Sequence, residues 1–376
     1  MGQYLLALTK ALIEAETEHQ FTLFVLEEDL PLFEFARDSV KLVPVAERYR
    51  PAVKNILWHQ AILPGLVRHE QIDVLHIPSY RRMLWRQPCP MVATIHDLAP
   101  LRVKGKYDWK RTFYASGVVK HLARRQDHII SVSKHTAEDI QHFFHLPQPQ
   151  ITVIHNGVDH QRYSAIGAQA SKKLIAERYG LKQPFFLYIS RLEHPAKNHV
   201  RLIQAFEMFQ EKNSPWQLVF AGSDWNGADV IHNAISKSRC KNSIHSLGFV
   251  PDEVVPDLMR AADVFVYPSL YEGFGLPIAE AMACGAPVIC SNCSSMLEVA
   301  GDAAATADPE NVVALKWQLL RLAGNPRLRE QLSQAGLQQA RLFDWKRTAS
   351  ATLKIYEQVA RKEACIRTSD LIANTK

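Results

Sequence analysis

Short runs of consecutive apolar residues recur along the chain, and the stretches between several of them carry apolar positions every three or four residues. FTLFVL (21–26), KLVPV (41–45), IDVLHI (72–77), MVATI (91–95), HIISVS (128–133) and ITVI (151–154) are bounded by polar segments and rich in β-branched residues, so they read as buried strands. Helical spacing is found over 109–125 and 134–144. A polar connection, 156–183, contains one short helical stretch, SKKLIAERYG, and separates this series from a second. There PFFLYIS (184–190), WQLVFAG (216–222), DVFVYP (263–268) and APVIC (286–290) repeat the strand-and-helix rhythm. Strands alternating with helices imply parallel sheets covered on both faces. Two such series imply two doubly wound α/β domains, predicted over 1–160 and 161–344. A last helical pattern, 345–362, belongs to no strand.

Composition agrees with this picture, since 47% of the 376 residues are hydrophobic, enough for real cores. The net charge of +6 is unevenly spread: residues 81–134 hold twelve basic side chains against three acidic ones, a local +9 against −3 for the rest. Such a region attracts phosphates, anionic lipid or nucleic acid. No basic run interleaved with aromatics occurs, so no nucleic-acid partner is expected. Its cations, Arg81, Arg82 and Arg86 among them, are expected to face anionic lipid head groups or a lipid-linked diphosphate.

Six cysteines are scattered, and the one close pair, Cys290 and Cys293, has no second pair and no histidine cluster beside it. A metal site is therefore not expected. The start, MGQYLLALTKALIEAETEHQ, has an apolar face of Tyr4, Leu5, Leu8 and Leu12 but is interrupted by Lys10, Glu14, Glu16 and Glu18, unlike a secretory signal. No stretch reaches the ~20 apolar residues of a membrane span. A cytoplasmic protein is expected.

In open parallel sheets ligands sit beyond the carboxyl ends of the strands, which selects the residues just after each apolar run. His96 and Asp97 follow MVATI, Ser133 and Lys134 follow HIISV, Asn156 and Gly157 follow ITVIH, Arg191 follows FFLYIS, and Gly222 follows QLVFA. After DVFVYP comes SLYEGFGLPIAEAMACGAPVICSN, Ser269 to Asn292, with Glu272 and Glu280 separated by seven residues across a turn through Gly273, Phe274, Gly275 and Leu276. Pro277 suits the start of a helix that should stop near Gly285. A turn entering a helix offers backbone N–H groups and the positive end of the helix dipole to phosphate, and glycines allow close approach. Two carboxylates beside such amides suit a ligand that is phosphate in one part and polyhydroxyl in others, because charged acceptors hold hydroxyls at roughly 1.5–3 kcal/mol each. A nucleotide sugar is both. Arg191 and Lys197, six residues apart on one loop, could offset a diphosphate gaining charge as its sugar departs. Neither G-x-G-x-x-G nor G-x-x-x-x-G-K-[ST] occurs.

Each residue has a plainer reading too. Glu280 near a helix N-terminus is favourable even when solvated. Arg191 and Lys197 could be surface cations, His96 a turn residue, Asp97 a cap, and Ser133 with Lys134 an N-cap and first turn.

Taken together, YEGFGLPIAEAMACGAPVI, SRLEHPAKNH, VIHNGVD, ISVSKHTAEDI, TIHDLAP and LGFVPDEVVPDLMRAADVFVYPS resemble the retaining glycosyltransferases of family 4 over nearly the whole chain. The resemblance implies the GT-B architecture: two facing Rossmann-like domains, acceptor on the first and nucleotide sugar on the second, with a C-terminal helix (345–362) crossing back and a tail to 376. It implies that Glu280 binds ribose hydroxyls, that Glu272 and the amides of Gly273, Phe274, Gly275 and Leu276 hold the transferred sugar and its phosphate, and that Arg191 and Lys197 hold the diphosphate. His96 would reach the donor sugar, and Gly222 with the backbone around Val250 would line the nucleobase pocket. It further implies front-face transfer without a metal or other cofactor, the leaving diphosphate taking the acceptor's proton while Glu272 orients.

The resemblance leans toward mannosyltransferases of bacterial surface polysaccharide, with GDP-mannose as donor and a glycan or lipid-linked saccharide as acceptor. Members of the family usually carry a strand and glycine-rich loop ahead of the segment that here begins at Met1. The first domain is accordingly expected without its central strand, so that either the true start lies upstream or this form is weakened or inactive. A catalytically silent relative binding glycan or a partner, and a nucleotide-sugar epimerase or phosphorylase of the same architecture, stand as alternatives.

Overall fold

The computed structural model describes residues 2–103, 115–210 and 214–373. Of the helix expected over 109–125, residues 109–114 lie outside the described ones, as do Lys104, Lys106, Lys110 and Arg111 of the basic segment; the rest is helical, as a π-type turn at Ala115–Val119 and an α turn at Lys120–Ala123. Two compact units divide the chain, one from residues 2–101, 115–157 and 345–373, the other chiefly from 158–344.

The first unit contains α1 (Gly2–Glu14), β1 (Phe21–Leu26), β2 (Val40–Val45), α2 (Ala52–Ala61), β3 (Leu75–Ile77), β4 (Met91–Ile95), β5 (His128–Ser131), α3 (Lys134–Phe144) and β6 (Ile151–Val153). Its strands form two parallel sheets, a β1-β2 pair and a four-stranded β3-β4-β5-β6 sheet. All five residues of β4 are buried, Thr94 included, as a near-continuous apolar run requires of a strand covered on both faces. Phe24 and Leu26 of β1 pack on the same core as Leu75, Met91, Ile95 and Ile129, so the two sheets share one interior. Ser133 caps α3 by accepting from the Thr136 N–H at 3.0 Å, and Asp97 Oδ1 accepts from the Ala99 N–H at 2.9 Å, which are the plainer readings of both residues.

The strandless C-terminal pattern is one long helix, Trp345–Ala373, eleven residues longer than predicted. It packs within the first unit. Ala349 and Leu353 meet Tyr4, Leu8 and Leu12 of α1, while Ile355 and Val359 meet Val92, Ile130 and Ile154 of the sheet. A polar chain runs beneath: Tyr356 Oη lies 2.6 Å from His76 Nδ1, and His76 Nε2 lies 2.8 Å from Thr94 Oγ1. Burial holds the His76 imidazole down to about 3, so it stays neutral.

The second unit contains α4 (Ala168–Tyr179), β7 (Phe185–Ile189), α5 (His199–Gln210), β8 (Gln217–Ala221), β9 (Ile244–Ser246), β10 (Val264–Tyr267), α6 (Leu276–Ala283), β11 (Val288–Ser291) and β12 (Ala304–Ala307). Its six strands are all parallel, in the order β12-β11-β10-β7-β8-β9. Sequence reading missed β9 and β12, because three residues of Ile-His-Ser and four of Ala-Ala-Thr-Ala carry no long apolar run and one β-branched residue each. From β7 the chain winds outward through β8 to β9, then returns to the other side of β7 as β10. Loops leaving the carboxyl ends of β7 and β10 therefore meet at the point where the strand order reverses, the place where open parallel sheets hold ligands.

Candidate functional site

Both loops at that reversal carry candidate residues. The loop after β7 is pinned along its length: the Tyr188 hydroxyl donates to the Lys197 carbonyl at 2.7 Å, and the Leu270 N–H donates to the Ala196 carbonyl at 3.0 Å. Asn198 closes it. Its backbone takes φ +60°, which Asn tolerates better than most residues, and its buried side-chain amide donates to the carbonyls of Pro268 and Pro309 at 3.0 and 2.7 Å. The loop is thus fastened to the end of β10 and α5 begins at once.

That fastening aims Lys197 at Glu272, Nζ to Oε1 at 2.5 Å, with each side chain 15% exposed. Burial by itself raises the Glu272 carboxyl, but the Lys197 ammonium outweighs it, helped by hydroxyls of Ser269 and Tyr267, and holds the acid below its ordinary value. Burial likewise lowers the Lys197 ammonium, and Glu272 together with Tyr188 and Glu193 more than restores it, so the amine is held above its ordinary value. Both are charged at neutral pH. The backbone of Glu272 is gripped on each side, its N–H donating to Ser294 Oγ at 3.1 Å and its carbonyl accepting from the Ser295 hydroxyl at 2.9 Å. The sequence assigned Lys197 to a diphosphate and Glu272 to a sugar; the structure pairs them with each other.

Gly275 caps α6 with φ +92°, a conformation that favours glycine, and Pro277 sits in the first turn. Phe274 is buried edge-on against Phe343 at 5.4 Å, so its ring anchors the turn. One turn into α6, Glu280 is pushed up to about 7 by burial, an effect that the Arg162 guanidinium and a hydrogen bond from Tyr163 only partly offset. Its carboxyl titrates in the neutral range.

Arg191 lies with its guanidinium 4.6 Å over the Trp225 ring and 3.9 Å from Glu193. Backbone bonds from Ser190 N to Ala221 O (3.0 Å), Leu192 N to Ser223 O (2.9 Å) and Trp225 N to Leu192 O (3.1 Å) zip the loops after β7 and β8 together. Gly222 stands at their junction with φ +148°, its N–H donating 2.7 Å to the Gly248 carbonyl, which brings it beside the turn that ends in buried Val250. A Cβ at Gly222 would lie 2.0 Å from the Ser190 carbonyl oxygen. Gly222→Ala is therefore expected to cost about 2–4 kcal/mol, from backbone strain and overpacking together. Thermal denaturation should show this as a loss of roughly 5–12 °C in the second unit; an unchanged Tm would contradict the close approach.

His96 belongs to the first unit, at the carboxyl end of β4, with its ring edge-on to Tyr4 at 4.6 Å. Burial holds its imidazole down to about 4, and its Nε2 is buried without a hydrogen-bond partner among the described residues. A neutral ring with one unsatisfied nitrogen is suited to a ligand hydroxyl. The second unit places Arg191 and Lys197 after β7, Gly222 after β8, Val250 after the edge strand β9, and Glu272, Gly273, Phe274, Gly275, Leu276 and Glu280 after β10. Sequence reading missed Asn198, Tyr188, Tyr163, Arg162, Trp225 and the two serines. Of these, only Asn198 carried a signal, as an αL-tolerant residue directly before a helix. Among the described residues no group of His, Cys, Asp and Glu is arranged to hold a metal ion.

Two family profiles divide the chain between them: that of Glycosyltransferase Family 4 matches residues 1–162, and that of glycosyl transferases group 1 matches residues 171–339. The O-antigen chain mannosyltransferase B of Escherichia coli is 33% identical over 268 residues, covering 71% of this chain and 70% of the relative. The MMP alpha-(1->4)-mannosyltransferase of Mycolicibacterium hassiacum is 30% identical over 291 residues, 73% of this chain and 67% of that one. Among solved structures, sucrose-phosphate synthase from Thermosynechococcus elongatus superposes with a TM-score of 0.76 at 20% identity, over 95% and 92% of the two chains.

Proposed function

The chain belongs to the family 4, group 1 glycosyltransferases of GT-B fold, with mannosyltransferase relatives, and from that premise we propose that it transfers mannose from GDP-mannose, with retention, to a growing surface polysaccharide or a lipid-linked saccharide. The observation that carries this reading is the largely buried Lys197–Glu272 pair at the reversal of the strand order, followed in the chain by Glu280 one turn into α6. An incoming diphosphate replaces part of the countercharge that Glu272 gives Lys197, and Arg191 supplies a second cation. Glu280, ionised, accepts from the ribose hydroxyls. Glu272, released in part from Lys197, orients the sugar hydroxyls.

Transfer then proceeds on one face of the sugar. The bond from the anomeric carbon to the phosphate oxygen breaks, the acceptor oxygen bonds to that carbon, and the acceptor's proton passes to the departing phosphate oxygen. Lys197 and Arg191 stabilise the charge that grows there. The mannose assignment and the polysaccharide acceptor rest on what the relatives are named for. The front-face route rests on what remains of the ion pair, because a Glu272 shared between Lys197 and the sugar hydroxyls is a poor nucleophile.

The test is a thermal-shift panel of GDP-mannose, GDP, UDP-glucose, UDP-N-acetylglucosamine and UDP, followed by NMR of the product's anomeric configuration. At a ligand concentration a hundredfold above Kd, binding adds about 2.7 kcal/mol and should raise Tm by several degrees with the guanine ligands alone. A shift with uridine ligands instead would move the donor assignment, and an inverted product would end the front-face mechanism.

A further inference from the structure

Lys197 and Arg191 leave the same loop but are held in different ways. Lys197 is largely buried and gives its charge to a carboxylate, that of Glu272. Arg191 has 55% of its side chain in water, and its neighbour is an aromatic face: the guanidinium carbon lies 4.6 Å from the centre of the Trp225 ring. The Glu193 carboxylate is 3.9 Å from it, beyond hydrogen-bonding reach.

No core places Trp225, which is 51% exposed. The backbone holds it instead. Its N–H donates to the Leu192 carbonyl at 3.1 Å, and its carbonyl accepts from the Ala228 N–H at 3.0 Å. Asp224, directly before it, bridges to Leu192, and its Oδ1 lies 2.9 Å from Nε2 of His232 on the helix Ala228–Lys237. Leu192 directly follows Arg191 and donates its own N–H to the Ser223 carbonyl at 2.9 Å. The ladder between the two loops thus fixes both backbones, and ring and guanidinium meet as side chains on neighbouring strands do.

An aromatic face and a carboxylate use a guanidinium differently. A bidentate carboxylate takes up the N–H groups and offsets the charge, whereas a ring face holds the cation without adding charge and leaves N–H groups for another acceptor. An arginine this exposed would otherwise sample many rotamers, and that freedom would be lost on meeting phosphate. We propose that Trp225 is a positioning residue for the donor diphosphate: its ring holds the Arg191 guanidinium in place while N–H groups stay open to phosphate oxygens. The proposal rests on the reading of Arg191 as a diphosphate cation and is independent of the nucleobase.

Affinities of GDP, GMP, UDP and UMP for the wild type, Trp225→Leu, Trp225→Phe, Arg191→Met and the double variant W225L/R191M test it. The ratio of diphosphate to monophosphate affinity reads the contact with the second phosphate whichever base is bound. Trp225→Leu is expected to lower that ratio by roughly three- to tenfold, and Trp225→Phe, which still offers a ring face, by no more than about twofold. In the Arg191→Met background Trp225→Leu should change nothing further, because the ring acts only through the guanidinium. Without nucleotide, the Arg191 Nε–H resonance, identified by its loss in Arg191→Met, should be shifted upfield by the ring in the wild type and return to the free-arginine position in Trp225→Leu. A Trp225→Leu effect undiminished in the Arg191→Met background would overturn the proposal, because the ring would then touch the nucleotide itself. So would an unshifted wild-type resonance, or an affinity ratio that Trp225→Leu leaves unchanged. Failure of GDP and UDP alike to bind would strike the diphosphate reading, and the ring's role with it, while a shifted resonance would still show the guanidinium held.

Discussion

Lys197→Met is expected to lower kcat/KM by roughly two to three orders of magnitude and to destabilise the second unit by about 3 kcal/mol. The two losses have different origins. Stability falls because methionine fills the space of the lysine but leaves the Glu272 carboxylate largely buried with its strongest partner gone. Activity falls because the cation that stabilises the leaving diphosphate is gone. Adding Glu272→Gln removes the stranded charge, so the double variant should recover most of the stability and none of the activity. Urea denaturation and donor kinetics on the three variants separate the effects. A Lys197→Met protein as stable and as active as wild type would mean that the pair is a surface ornament, and a double variant that regained activity would remove Lys197 from the chemistry.

Glu280→Gln is expected to weaken nucleotide binding 10- to 100-fold and yet to stabilise the free protein at alkaline pH. The sign follows from the raised carboxyl. Its pKa is about 7 in the folded protein, against about 4.3 for an unperturbed glutamate, so folding favours the protonated form. Its contribution to stability is complete below about pH 4.5 and is lost as pH rises through 7. At pH 8 the buried carboxylate therefore costs about 1–3 kcal/mol, part of which solvent screens because the side chain is not fully enclosed. Glutamine escapes that cost but is a weaker acceptor for two ribose hydroxyls. Wild-type affinity for the nucleotide should rise between pH 6 and pH 8 as Glu280 ionises, and the variant's should stay flat. Calorimetric titration across that range, with Tm measured alongside, checks both halves. A wild-type affinity independent of pH would separate Glu280 from the ribose.

Much of this was legible in one dimension. Strands such as Met91–Ile95 and Phe185–Ile189 announce themselves because both faces are buried, which forces an unbroken apolar run that no exposed segment shares. The turn from Glu272 to Leu276 was legible because glycines, a proline and a helical pattern follow one another in a fixed order. The short edge strands were not, since Ile244–Ser246 and Ala304–Ala307 bury too little to leave a pattern.

The residues that hold the site were harder still. Asn198 works through the carbonyls of Pro268 and Pro309, and Tyr188 through the carbonyl of Lys197; nothing about an asparagine or a tyrosine in the sequence says which distant backbone it will meet. Trp225 lies under Arg191 because the ladder between the β7 and β8 loops puts it there, a pairing no local pattern carries.

The sequence by itself determined the alternation of strands and helices, the two-series division and the identity of the acids and cations, because these depend on local periodicity and residue chemistry. Only the tertiary structure decided that Lys197 and Glu272 neutralise one another, that Glu280 is buried enough to titrate near neutrality, and that the C-terminal helix closes over the first unit. Charge states and partners are set by the dielectric and the neighbours that folding assembles from segments far apart in the chain, and no local pattern encodes those distances.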